Sequence, residues 1–233
     1  GNDGLVTEVM NLIDAAVEGK LDTRANVGDY QGDSRMILEG INELLDAVIG
    51  PLIVSAEYID RISKGDIPPK ITDEYKGDFN EIKNNLNMCI DSINFLVEDS
   101  VTLAQAGIEG RLDTRADAGR HNGDFRKVVE GVNGCLDAVI GPLNVAAEYI
   151  ERISKGDIPA KITDNYNGDF NEIKNNLNIC IDSLNALLQE AESLTEAAIE
   201  GKLNTRADAG RFSGDYAALV QGMNDVVATL VGH

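Results

Sequence analysis

Between Phe79 and Leu96 the apolar positions fall at Phe79, Ile82, Leu86, Cys89, Ile93 and Leu96, in steps of 3, 4, 3, 4 and 3. A half-buried strand alternates every second residue, so this spacing predicts a helix with one narrow apolar stripe, the a/d seam of a coiled coil. The same steps return at Phe170, Ile173, Leu177, Cys180, Leu184 and Leu187, at Phe125, Val128, Val132, Cys135 and Val139, and at Tyr216, Leu219, Met223, Val226 and Leu230. A preceding helix carries a similar stripe at Leu52, Ser55, Ile59 and Ile62 and ends where Gly65 offers a C-terminal stop. The pattern predicts an all-α chain.

The stripes belong to a repeat. LDTRA at Leu21 returns at Leu112, and LNTRA stands at Leu203, a period of 91 residues; ISKGDIP at Ile62 returns at Ile153. Each period divides in two. Gly19, Gly65, Gly110, Gly156 and Gly201 lie 46, 45, 46 and 45 residues apart, and each is followed by a Gly-Asp pair and then by an asparagine: Asn42, Asn87, Asn133, Asn178, Asn224. Five units of two alternating types result, at 5–49, 50–96, 97–140, 141–187 and 188–231, the first, third and fifth odd-type and the other two proline-containing and even-type.

Within a unit the Gly-Asp pair predicts a helix start. Asp33, Asp78, Asp124, Asp169 and Asp215 could cap first-turn amides and suit the helix dipole, and Glu81 and Glu172 would complete capping boxes. The connector between the two helices of a unit sets their direction. Antiparallel helices need only about 2 to 5 linking residues. A dozen, at roughly 3.3 Å each, climb about 40 Å, past a 16-residue helix of roughly 24 Å, so the helices can run parallel. Leu21, Ile67, Leu112, Ile158 and Leu203, two past the glycine, would pin the connector, as would Tyr30, Tyr75, His121, Tyr166 and Phe212 near its end. The asparagines lie just off the seam, where their amides are expected to bind connector backbone.

Two parallel helices cannot cover an a/d seam by themselves. A second copy of the chain would, which gives the expected architecture: parallel homodimeric four-helix coiled-coil bundles stacked end to end. The dimer core would hold Leu52, Ile59, Ile62, Phe79, Ile82, Leu86, Cys89, Phe125, Val128, Val132, Cys135, Phe170, Ile173, Leu177 and Cys180.

Composition narrows the setting. There is no Trp and aromatics are 5%, so the apolar supply is the Ile, Leu, Val and Ala of helix seams. A net charge of −20 repels phosphate backbones and anionic lipid heads, which argues against nucleic-acid and membrane-surface partners. No run reaches the roughly 18 apolar residues of a membrane span. Three cysteines without close Cys/His spacing fit a reducing, cytoplasmic compartment. Gly1 in place of Met, with Gly232-His233 at the other end, is expected of a segment excised from a longer polypeptide.

Amphipathic helix, connector opening with Gly-x-(Leu/Ile), acidic helix start and later Asn together resemble the HAMP domain of chemotaxis receptors, histidine kinases and related transducers. Pro51 and Pro142 match the proline that often opens the family's first helix, Gly65-Asp66-Ile67 and Gly156-Asp157-Ile158 its connector, and Asp78 and Asp169 its acidic pair. The odd-type units depart from it, with no proline in the first helix, and Gly precedes Asp where the family often has Asp-Glu. The resemblance implies a relay of conformational signals between an upstream sensor and a downstream output module of the same polypeptide. Two junction types point the same way: the 3/4 spacing continues from Val48 to Leu52, whereas after Leu96 it can also be read one residue later, at Val97, Val101, Ala104 and Ile108. Small residues Ala16, Gly107 and Ala198 stand where even-type units carry Ile62 and Ile153, so neighbours are expected to favour opposite packings.

Other chemistry finds little support. The cysteines read as small core residues rather than a redox switch, His121 as a packed ring in an aromatic slot rather than a pH or metal site, and the glycines as helix ends rather than phosphate loops. No nucleophile-base pair, cofactor motif or metal cluster emerges, so no enzyme is expected. The competing classes are an elongated dimeric spacer and a monomeric acidic helical repeat that binds proteins.

Overall fold

The computed structural model describes residues 2–232, and among them every regular element is helical. Six α-helices follow one another: α1 (Asn2–Val17), α2 (Gly32–Ser63), α3 (Asp78–Ile108), α4 (Gly123–Ser154), α5 (Gly168–Ile199) and α6 (Gly214–Val231). The residues group into two compact parts, 1–131 and 132–233. Gly1 and His233 lie outside the described residues. No described helix is long and apolar enough to cross a membrane.

The four inner helices have 31 or 32 residues, twice what one helix of a unit requires. The second helix of one unit continues into the first helix of the next. In α2 it passes through Pro51, which has no N–H and whose ring crowds the carbonyl four residues back. Gly50 precedes it, and the Ser55 hydroxyl donates to the Pro51 carbonyl at 2.8 Å. In α3 the helix is equally continuous but the exposed stripe moves: Leu96 is half-buried, while Val97, Val101 and Ile108 are 52%, 63% and 82% exposed. Val6, Met10 and Val17 stand exposed at the corresponding places of α1. The later register is therefore the one the odd-type first helices present.

Helix ends follow from glycine. At Gly19 φ is +76°, its N–H bonds to the Ala16 carbonyl, and the Lys20 N–H reaches back to Ala15 at 2.8 Å, a Schellman closure. The same two bonds close the helices before Gly65, Gly110, Gly156 and Gly201. The second glycine of each connector also has positive φ, from 53° to 59° at Gly32, Gly77, Gly123, Gly168 and Gly214. A side chain there would be strained, which explains why Gly stands before the acidic residue.

That geometry corrects the expected caps. The N-cap positions of α2, α3, α5 and α6 are Gln31, Gly77, Asn167 and Ser213, and none makes a side-chain capping bond. Asp33, Asp78, Asp169 and Asp215 lie inside the first turn, as does Asp124 in α4. Their charge suits the dipole there, but they do not occupy the cap where a side-chain oxygen would meet free amides, and Glu81 and Glu172 have no Ser or Thr cap to pair with.

Candidate functional site

The connectors run back along the helices. In unit 1 the Tyr30 hydroxyl, just before α2 begins, donates to the Gly4 carbonyl in the first turn of α1 at 3.0 Å. The Asn26 N–H, earlier in the connector, donates to Glu8 one turn further along α1, at 3.0 Å. The connector has returned to the starting end of α1, so α2 sets off in the same direction as α1.

An asparagine clamps the return in units 1, 2, 4 and 5. The Asn42 side chain accepts from the Ala25 N–H at 2.8 Å and donates to the Ala25 carbonyl at 3.1 Å. Asn87 grips Ile71, Asn178 grips Ile162 and Asn224 grips Ala207 in the same way. One amide thus satisfies both backbone groups of an extended residue, a β-like pairing made by a side chain. The expectation, made for five asparagines, holds at these four. The gripped residue is always six past the connector's first glycine and is buried at Ala25, Ile71, Ile162 and Ala207. These are deeper anchors than the positions two past the glycine: Leu21, Leu112 and Leu203 are exposed, and Ile67 and Ile158 are half-buried. An apolar residue six past the glycine in every unit was the signal for them. Tyr30, Tyr75, Tyr166 and Phe212 are half-buried against the bundle.

The two types differ around this common clamp. In odd-type units the sealed residue precedes the asparagine by four: Leu38 and Val220 are at 0% exposure and Val129 at 3%. Leu38 meets Leu12 and Ala25, and Val220 meets Leu194 and Ala207. In even-type units the sealed residue follows by three, at Ile90 and Ile181, each 1% exposed, with Pro68 and Pro159 also sealed in the connector. The place four before is Lys83 or Lys174, whose ammonium donates to the Asp73 or Asp164 carbonyl at 3.0 and 2.9 Å. A small cleft of about 10 Å³, room for little more than one water, lies beside Lys83, lined by Pro51, Ile71, Tyr75 and Phe79, and an equal one occupies the equivalent place beside Lys174.

Connector chemistry alternates too. Odd-type connectors carry a short 3-10 turn in which Asn26, Asp117 or Asp208 accepts from the N–H two residues on. Even-type connectors instead fasten their first residue: Arg61 makes a two-pronged bond to Asp66 at 2.7 and 3.2 Å, and Arg152 bonds Asp157 at 2.6 Å. The hydrogen bond from the guanidinium holds each aspartate below the usual carboxylate range and each arginine above its own.

The seam itself lies outside these cores. Leu52, Ile59, Ile82, Val128, Val132 and Ile173 are 40% to 58% exposed, and Phe125 is 38%. Cys89 and Cys135 are exposed; Ile62, Phe79, Leu86, Phe170, Leu177 and Cys180 are half-buried. A stripe of this kind on helices whose own contacts are already made is an uncovered apolar face.

Two stretches, residues 29–95 and 120–186, match the HAMP domain family. Each contains the second helix of an odd-type unit and nearly all of the even-type unit after it, so the departures noted for the odd-type first helices fall where the match stops. No solved structure matches the chain. The family relays signals in sensor kinases and chemoreceptors. Two matches in tandem over more than half of the sequence, on a helix-connector-helix plan, place this chain in the HAMP domain family as a tandem array.

Proposed function

We propose that this chain is a non-catalytic relay segment that works as a parallel homodimer, passing conformational change between an upstream sensor and a downstream output module of the same polypeptide. The observation that carries the proposal is the exposed a/d seam. Each unit buries its connector-facing residues by itself, yet leaves Leu52, Ile59, Ile82, Val128 and Ile173 in water. These side chains are already about half covered, so burying the rest is worth on the order of 1 kcal/mol each. A second copy in register supplies matching stripes and turns each unit into a four-helix bundle.

The relay would use the alternation. Odd-type and even-type units seal different heights of the same helix face, so neighbours favour different packings, and a small input at one end biases a series of two-state bundles. The acidic surface fits a cytoplasmic segment that touches neither nucleic acid nor membrane.

Solution mass tests the dimer first. A particle of 25.0 kDa, the mass of one chain, would refute it. Single-cysteine variants then test the direction. In a parallel, in-register dimer Cys89, Cys135 and Cys180 each cross-link to their own copy on mild oxidation. An antiparallel pair could bring at most one of them onto itself. Relay and spacer separate in the full receptor: removing one unit should invert or abolish output in a relay, whereas a spacer tolerates loss of a half period as well as a whole one.

A further inference from the structure

The three odd-type connectors hold the helix before them by different chemistry. In unit 1 the Glu8 carboxylate takes the Asn26 N–H and Tyr30 reaches the Gly4 carbonyl. In unit 5 Glu190, at the place of Glu8, takes the Asp208 N–H and the Arg211 guanidinium, with Phe212 where unit 1 has Tyr30. In unit 3 the acid is the shorter Asp99 and the ring is His121. Both are buried, at 8% and 3% exposure, with His121 Nε2 at 2.5 Å from Asp99 Oδ2.

The charges around this pair are unequal. From α3 come Asp99 and Glu98; from the connector come Arg120, at 3.2 Å from Asp99 and 2.9 Å from Glu98, and Asp117, which acts on Arg120 through space. Arg120 also lies over the Phe95 ring, 4.6 Å from its centre. On α4, Val129 is buried at the repeat position of the Leu38 and Val220 that anchor the clusters holding Tyr30 and Phe212. Three carboxylates thus face one fixed cation, and a protonated imidazole is the second cation the cluster lacks. A charged imidazole makes a charge-assisted bond to Asp99, roughly twice as strong as a neutral donor would. A neutral one can still donate from Nε2, but it leaves Arg120 as the only cation on a nearly buried carboxylate.

We propose that the His121–Asp99 contact is a pH-sensitive latch. It ties the unit 3 connector firmly to α3 when the imidazole is protonated and slackens as the proton is lost, while units 1 and 5, which have Tyr30 and Phe212 at this place, do not respond. The latch stands on its own geometry whether or not the chain is a relay; only an effect on output would rest on that reading.

The chain has two histidines, and His233 is its last residue, so imidazole NMR of the intact protein reads His121 with one other signal. The decisive measurement is amide exchange from pH 6 to 8, corrected for intrinsic base catalysis. Residues 112–122 should lose protection by about tenfold as pH rises, the equivalent of about 1.4 kcal/mol, while 21–31 and 203–213 stay level. His121→Phe, which installs the residue of unit 5, should make all three connectors behave alike. Parallel behaviour of the three in the unaltered protein would overturn the latch. So would a pH response in unit 3 that survives in His121→Phe, or an imidazole signal from His121 that does not change across that range.

Discussion

In unit 1 the residue sealed most completely is Leu38, four before the clamping Asn42; in unit 2 it is Ile90, three after Asn87. The two places are seven apart relative to the asparagine, so they lie on one helix face a heptad from each other. Both units hold the connector by the same pair of amide bonds, but unit 1 packs tightly toward the end where α2 starts and unit 2 toward the opposite end. The cause is one side chain. Lys83 stands where Leu38 would, and a lysine can line that face only by running its stem along it and giving its ammonium to a connector carbonyl.

The sharpest way to break the comparison is to exchange those residues. Leu38→Lys should cost unit 1 on the order of 3–5 kcal/mol, because it removes a sealed leucine and buries an amine. Lys83→Leu should change unit 2 by less than about 1.5 kcal/mol, since the lysine stem already lines that face and the exchange gives up only an exposed bond to one connector carbonyl. Amide exchange resolved by unit would read both. Equal costs in the two directions would mean that the sealed layers are interchangeable and the alternation is without energetic content.

Truncation comes next in size. Leu38→Ala and Ile90→Ala should each cost about 2–5 kcal/mol, but Leu45→Ala, at the place in unit 1 that Ile90 holds in unit 2, should cost about half as much because Leu45 is only half-buried. Denaturant unfolding followed by exchange would rank them. A Leu45 cost as large as that of Leu38 would place unit 1 in the same packing class as unit 2.

Asn87→Ala and Asn42→Ala should each cost about 1–3 kcal/mol, since each leaves the N–H and carbonyl of a buried residue without their partner. Here the two types should agree, because the clamp is shared. Connector exchange that quickens in one type only would show that the clamp, too, is type-specific.

The repeat, the helical stripes, the glycine stops and the clamping role of the asparagines were legible in the sequence because each has a fixed local cause: period, φ above zero, or an amide just off a seam. The sealed layer was harder to see. It lies beside the a/d stripe, and a reader following steps of 3 and 4 passes over Leu38 and Ile90. Lys83 and Lys174 gave a visible mark of the alternation, but a lysine next to a seam reads as surface until its ammonium is found on a connector carbonyl. The helix starts misled for a similar reason. Gly-Asp resembles a cap one residue early, whereas Gly32 and its counterparts are there for positive φ, which puts the acid into the first turn. His121 read as a ring packed in an aromatic slot rather than a pH site; the ring is buried there, but it is held by Asp99, 22 residues away, which could be joined to it only once the connector's return path was known.

The smallest effect expected concerns the even-type connector openings. Asp66 and Asp157 are held below the usual carboxylate range by their hydrogen bonds to Arg61 and Arg152. A carboxylate depressed in the folded state adds stability that is fully present above its unfolded pKa and is lost as pH falls through the folded one. Acid should therefore loosen the turns after Gly65 and Gly156. Both pairs are exposed and screened by water and salt, so the change should be slight and smaller still in high salt. The turns after Gly19 and Gly201 make no such bond, because Lys20 and Lys202 at that place pair instead with exposed Glu18 and Glu200 on the same turn. Amide exchange at residues 65–67 and 156–158, followed from neutral pH into the carboxylate range, should part from that at 19–21 and 201–203, and Arg61→Gln should remove the difference in unit 2 alone. If all four turns loosen together, acid is acting on the shared helix ends, and the arginine fastening does not distinguish the two kinds of unit.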